Sequence, residues 1–218
     1  EIPKTIEIIQ EIISGSNFRK QERLYEILAQ LKSRLQMSLS SAGHSISSMR
    51  AMSYFSESAK YTDMTQGIEF YQLVKELEEN FEQKKEGLSQ TLEELVREIF
   101  CKENLMLSVG AEPEGMEQVE HQIPGMKAVL FTRESEKQRV LPFLKKKNEG
   151  FLDASQVQYV SRAGNFRKEG YEYTGALKIL RVLLNYDYLW MNIRVMGGAY
   201  GCMSGFTRKG DAYFTSYR

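Results

Sequence analysis

Residues 194–201 read RVMGGAYG. Arg194 brings a guanidinium with five N–H donors, and Tyr200 brings a phenol that donates or accepts. Between them lie Gly197, Gly198 and Ala199, at a point where a helix-like pattern gives way to a strand-like one. Read alone, this is a helix end. Arg194 is then a cation favoured by the helix C-terminus, Gly197 and Gly198 are a cap and turn, and Tyr200 is a half-buried strand aromatic. The GGAYG run is no phosphate loop, because it lacks GxxxxGK[ST] and follows a helix pattern where a P-loop follows a strand.

No other group of residues has the spacing of a nucleophile or a metal site. Cys202 has no base beside it in sequence, so a thiol nucleophile is not expected. Cys101 and Cys202 form no CxxC and no disulfide framework, which fits a reducing compartment: the cytoplasm of a bacterium, or an organelle if the source is eukaryotic. His44 and His121 stand apart, and no HxxEH or HExxH occurs, so no zinc site is expected within the chain. His44 reads as a hydrogen-bonded structural histidine. Arg50 reads as half of an interdomain ion pair whose partner the sequence does not name. The Lys145-Lys146-Lys147 run reads as a solvated face rather than an anion site.

Composition narrows the class further. The chain has 218 residues, 29 basic and 29 acidic, with 42% hydrophobic and 27% charged. This is ordinary globular composition, and zero net charge argues against nucleic acid as a partner. No apolar run approaches the ~18 residues of a membrane span, and no signal peptide is visible.

The elements that must hold these residues follow from periodicity. Residues 4–13 predict a helix stopped near Gly15. Leu24, Ile27, Leu28, Leu31 and Leu35 predict one face of a long amphipathic helix. Residues 38–59 are rich in serine and other small residues, which predicts a closely packed helix pair or a bent segment. Phe70, Leu73, Leu77 and Phe81 predict another helix, and Leu88, Leu92, Leu95, Ile99 and Phe100 a fourth. Residues 104–110 predict a buried strand closed by Pro113 and Gly115. Residues 155–163 predict a strand, and 174–193 a helix with Ala176, Leu177, Leu180, Leu183 and Leu184 on one face. Residues 199–207 and 211–217 predict two strands joined at Lys209-Gly210. Tyr186, Tyr188 and Trp190 are expected in core or interdomain packing. The fold class is α+β: a helix-rich part with a sheet edge, then a strand-helix-strand-strand unit. The boundary falls in a linker at 126–152, between parts 1–125 and 153–218. The chain starts at Glu1 and stops within a predicted strand, which predicts a piece of a longer protein.

Three blocks, SSAGHSISSMRAMSYFS at 40–56, YLWMNIRVMGGAYGCMSGF at 188–206 and TSYR at 215–218, resemble in sequence and in order the insulinase/pitrilysin-type zinc metallopeptidases of the presequence-protease branch. The resemblance implies a parent of four homologous α+β domains that close like a clamshell around a chamber and hydrolyse unstructured peptides without ATP. It implies a zinc cofactor held by two histidines and a distal glutamate of the first domain, outside this chain, with the glutamate inside the HxxEH motif as general base. Residues 1–125 then correspond to the later part of the third domain and 153–218 to the first part of the fourth. Arg194 and Tyr200 match the arginine and tyrosine that reach across the chamber to the peptide, and Gly197, Gly198 and Ala199 would let its backbone come close. The implied partners are an unstructured peptide and the N-terminal half of the same polypeptide, with no nucleic acid and no membrane. The chain alone would be inactive. The motif departs from the family at Met196, where a lysine is common. Two other functions remain open: a non-catalytic scaffold or partner subunit of the same family, and a helical protein-interaction module that binds through the 20–100 helices.

Overall fold

The computed structural model describes residues 1–133, 140–152 and 156–218. Their contacts form two compact units that do not follow chain order. One combines residues 1–28 with the described residues of 79–133, and the other combines 29–78 with the described residues of 140–218. The contacts of the second unit therefore bridge the expected 126–152 linker.

In the first unit, α1 (Ile2–Gly15) packs on α7 (Pro113–Val129). Ile6 and Val119 are buried, and the Gln10 side chain lies beside Gly125. The start of α2 (Gln21–Ser41) meets the start of α6 (Phe81–Ile99), where the Tyr25 and Phe81 rings lie 5.2 Å apart. Ser89 Oγ donates to Phe18 O at 2.8 Å, and Arg19 pairs with Glu93. The strand expected at 104–110 is absent. A 3-10 turn at Lys102–Asn104 leads into unpaired chain in which Met106 is 91% exposed. Hydrophobic runs show only which residues could be buried, whereas a strand also needs a partner ladder. Here the sheet edge reduces to one parallel bridge, Cys101 to Phe131. Pro113 opens a helix instead of closing a strand: at the first helical position its missing N–H costs nothing.

In the second unit, β1 (Tyr159–Asn165), β2 (Gly201–Phe206) and β3 (Asp211–Tyr217) form an antiparallel sheet in the order β1-β3-β2. Ser155, within the predicted 155–163 strand, lies outside the described residues. The expected strand-helix-strand-strand order is present, with α8 (Ala176–Leu183) after β1. The small-residue segment becomes α3 (Gly43–Met52) and α4 (Glu57–Gln66), and α3 lies on β1 and β3. The close approach is therefore mainly helix to sheet. Gly43 sits against the Tyr159 ring so tightly that a Cβ would fall 2.3 Å from Cδ2. Ser47 and Ser48 Oγ lie 2.7 and 3.1 Å from Ser161 Oγ, which donates to Thr215 Oγ1 at 2.9 Å on the neighbouring strand. His44 stacks on Tyr217 at 5.4 Å, and its carbonyl accepts from Ser48 and Thr215. Its structural role thus rests on ring stacking and its main chain.

Arg50 joins four segments of this unit. Its side chain is nearly buried, and Asp63 is fully buried. Nη1 donates to Asp63 Oδ2 at 2.5 Å, while Nε and Nη2 grip both Glu149 oxygens at 2.8 and 3.1 Å. Asp63 Oδ1 in turn accepts from Ile68 N at 3.0 Å, at the start of α5 (Ile68–Glu79). Tyr54 donates to Glu149 at 2.6 Å, and Lys60 pairs with Glu69. Lys147 of the basic run pairs with Glu149 at 3.1 Å. The hydrogen bonds from Arg50 hold the Glu149 carboxyl down at about 2, against burial, with Tyr54 and Lys147 helping. Burial and then Glu149 push the Tyr54 phenol up to about 12. For Arg50, burial alone would lower the pKa, but its bonds to Glu149 and Asp63 raise it. Among the described residues no helix is long and apolar enough to cross a membrane.

Three stability outcomes follow, each read by urea unfolding of the chain. Arg50→Met strands the buried Asp63 and should cost about 3–5 kcal/mol. Glu149 is partly exposed, so Glu149→Gln should cost less, about 1–2 kcal/mol at pH 7. Because the folded carboxyl titrates below its ordinary value of 4.5, its contribution is complete above that pH. It is lost as pH falls through about 2, so the gap between wild type and Glu149→Gln should close over that window. Gly43→Ala must displace the Tyr159 ring and should cost about 1–3 kcal/mol; an unchanged midpoint would contradict the close approach.

Candidate functional site

The helix expected over 174–193 does not run as one regular α-helix. After α8 the backbone widens into π-helical turns at Leu184–Tyr188 and Trp190–Met196. Wider turns of this kind recur at functional sites, and the simple apolar periodicity of 174–193 carries no sign of them. Asn185 ties this stretch to β2, its Oδ1 accepting from Ser204 N and Oγ, both at 2.8 Å. Leu189 is buried. Tyr186, Tyr188 and Trp190, expected in packing, are exposed in this chain. Residue type marks them as apolar but does not say which face the fold covers.

The exit from the π-helical stretch is made by the two glycines. A Cβ on Gly197 would stand 2.6 Å from Ile193 O. Gly198 has φ of +73°, a left-handed conformation that side chains disfavour, and its N–H donates to Arg194 O at 3.0 Å. Ala199 N then donates to Ile193 O, and Tyr200 N to Tyr217 O at 2.9 Å, which starts β2 against β3. The chain reverses within three residues, and the sequence signal for that turn was legible.

Across this turn Arg194 folds back. Its Nε donates to Tyr200 O at 3.1 Å, and its Cζ lies 3.9 Å from the centre of the Trp190 ring. Tyr200 is 71% exposed, not half-buried, because β2 begins one residue later and its ring precedes the sheet. Arg194, Gly197, Gly198 and Tyr200 thus form one exposed patch, with Ala199 partly covered. The guanidinium and the phenol are both presented to solvent, and the guanidinium is tied to the main chain that carries the phenol. Such an arrangement can donate hydrogen bonds to an oxygen that gains negative charge. Two residues after Tyr200, burial pushes the Cys202 thiol up, with the Arg194 charge opposing. His121 belongs to the first unit and is exposed on α7 near Glu117. Among the described residues no group of three or more His, Cys, Asp or Glu side chains could hold a metal ion. Sequence reasoning missed the Trp190–Arg194 contact, although their spacing of four residues was an available signal.

Residues 1–77 match the family of domains associated with subfamily C of the M16 peptidases, and residues 148–218 match the PreP C-terminal domain. The chain is 34% identical over 215 residues to Protein HypA of Clostridium perfringens, covering 99% of this chain and 22% of that protein. It is 26% identical over 215 residues to presequence protease 1, chloroplastic/mitochondrial, of Arabidopsis thaliana, covering 97% of this chain and 19% of that protein. It is 28% identical over 226 residues to an uncharacterized protein of Borreliella burgdorferi, of which 23% is covered. The chain therefore spans about a fifth of the length of the curated relatives it matches. A family match at each end, and a presequence protease among relatives aligned along nearly all of the chain, together support its reading as M16 peptidase sequence of the presequence-protease type.

Proposed function

We propose that this chain is the substrate-binding C-terminal portion of a zinc-dependent metalloendopeptidase that degrades unstructured oligopeptides in an enclosed chamber. The observation that carries the reading is the exposed Arg194–Tyr200 pair, joined by the Arg194 Nε to Tyr200 O bond across the glycine turn. The described residues do not fit a zinc site. By the resemblance of the 188–206 block, the zinc ligands lie in the first domain of the parent, outside this chain.

The reaction asks a specific service of these residues. Peptide hydrolysis places negative charge on the carbonyl oxygen of the scissile bond. A guanidinium and a phenol fixed beforehand near that oxygen favour the transition state over the ground state, because they need not reorganise as charge develops. On this reading an extended peptide runs along Gly197, Gly198 and Ala199, beside the Arg218 guanidinium that lies against Gly198. Residues 1–125 would be the later part of the third homologous domain and 153–218 the first part of the fourth. The N-terminal half of the same polypeptide would supply the metal and the general base.

The test is steady-state kinetics of the full-length protein on a fluorogenic peptide. Loss of one such donor typically lowers kcat by about 10²–10³-fold, and that is the outcome expected for Arg194→Ala and for Tyr200→Phe, with smaller changes in KM. The isolated chain should hydrolyse nothing. Near-normal turnover in both variants would contradict the assignment and favour a non-catalytic role in the same family.

A further inference from the structure

We infer that Trp190 is a positioning residue for Arg194. Its indole face and the Tyr200 carbonyl hold the guanidinium at one place, so that Arg194 and Tyr200 meet the peptide carbonyl as a preformed unit. The inference rests on the assignment of those two residues to substrate contact.

A surface arginine samples many rotamers, and ordering it at the moment of reaction would offset part of what its charge contributes. Here two contacts at different points of the side chain remove that freedom. Trp190 lies four residues before Arg194, on the same side of the π-helical stretch. The ring centre is 3.9 Å from Cζ, which fixes the face of the guanidinium plane. The Nε bond to Tyr200 O fixes its direction. Nε is consumed by this tether, and the two Nη groups remain as the donors for an incoming oxygen. The tether also couples the pair, because the carbonyl that orients Arg194 belongs to the residue that carries the phenol. Trp190 itself is 42% exposed, so the side chain is not committed to the core of this chain. Its place in the fold is held instead by the buried neighbour Leu189 and by the Asn185–Ser204 bonds one turn earlier.

Five forms of the full-length protein decide the matter: wild type, Trp190→Leu, Trp190→Phe, Arg194→Ala and the Trp190→Leu/Arg194→Ala double variant. Loss of an exposed to partly desolvated cation–π contact corresponds to about 3- to 30-fold in rate. Trp190→Leu should lower kcat by that factor while leaving KM within about twofold, since ground-state binding does not require the ordered guanidinium. Trp190→Phe keeps an aromatic face and should recover most of the loss. The double variant should be no slower than Arg194→Ala, because the two substitutions remove one device. Wild-type activity in Trp190→Leu beside an impaired Arg194→Ala would overturn the positioning role alone. So would a Trp190→Leu penalty that persists in full in the Arg194→Ala background, which would mark Trp190 as packing against another part of the protein. A silent Arg194→Ala would instead overturn the donor assignment itself. A second readout needs no turnover. Trp190 is the sole tryptophan of the 218 residues, so its acrylamide quenching in this chain reports on the covered ring face. Quenching should rise in Arg194→Ala, and an unchanged value would overturn the contact even if Trp190→Leu failed to fold.

Discussion

The approach of α3 to the β1–β3 pair sets the geometry of the second unit. It is made at backbone distance, since only a hydrogen fits between Gly43 and the Tyr159 ring. Hydroxyl groups complete the contact: Ser47 and Ser48 reach Ser161, and Ser161 reaches Thr215 across the strands. Polar atoms at such a contact are stable only because they satisfy one another. The register of β1 on β3 is thereby pinned at Ser161–Thr215, and His44 stacking on Tyr217 pins the far end of β3. β2 is aligned on β3 in turn, and Tyr200 stands at the point where β2 begins. A shift of one residue in any of these ladders would turn each strand residue to the opposite face.

The candidate site adds a second constraint to this frame. Two π-helical turns, rare in proteins, adjoin a left-handed turn that only glycine adopts readily, between Leu184 and Gly198. They persist because the surroundings determine them: Asn185 is bonded to Ser204, Leu189 is buried, and Tyr200 N is bonded to Tyr217 O. The result is a guanidinium at the lip of a sheet, tied to the main chain of the residue that carries the phenol.

Much of this was legible in the sequence, and the exceptions share a physical cause. Strands 201–206 and 211–217 and the turn between them followed from alternation and from Lys209-Gly210, which are local signals. The helix end at Gly197-Gly198 was equally local. The serine-rich block announced close packing, yet its partner strand lies more than a hundred residues away, and no local pattern can name it. The same holds for Arg50, whose partners Asp63 and Glu149 are recognisable only after folding. The 104–110 run failed as a strand because strand formation is decided by a neighbour. The resemblance of the 188–206 block pointed to Arg194 and Tyr200, but neither it nor the periodicity revealed that Trp190 covers the guanidinium.

The most direct test of the central claim is a structure of the full-length protein with an uncleaved peptide bound. The account predicts an Arg194 Nη and the Tyr200 phenol oxygen each within hydrogen-bond distance, about 2.7–3.2 Å, of the scissile carbonyl oxygen. A closed, peptide-bound state in which both groups lie more than about twice that distance away would contradict it.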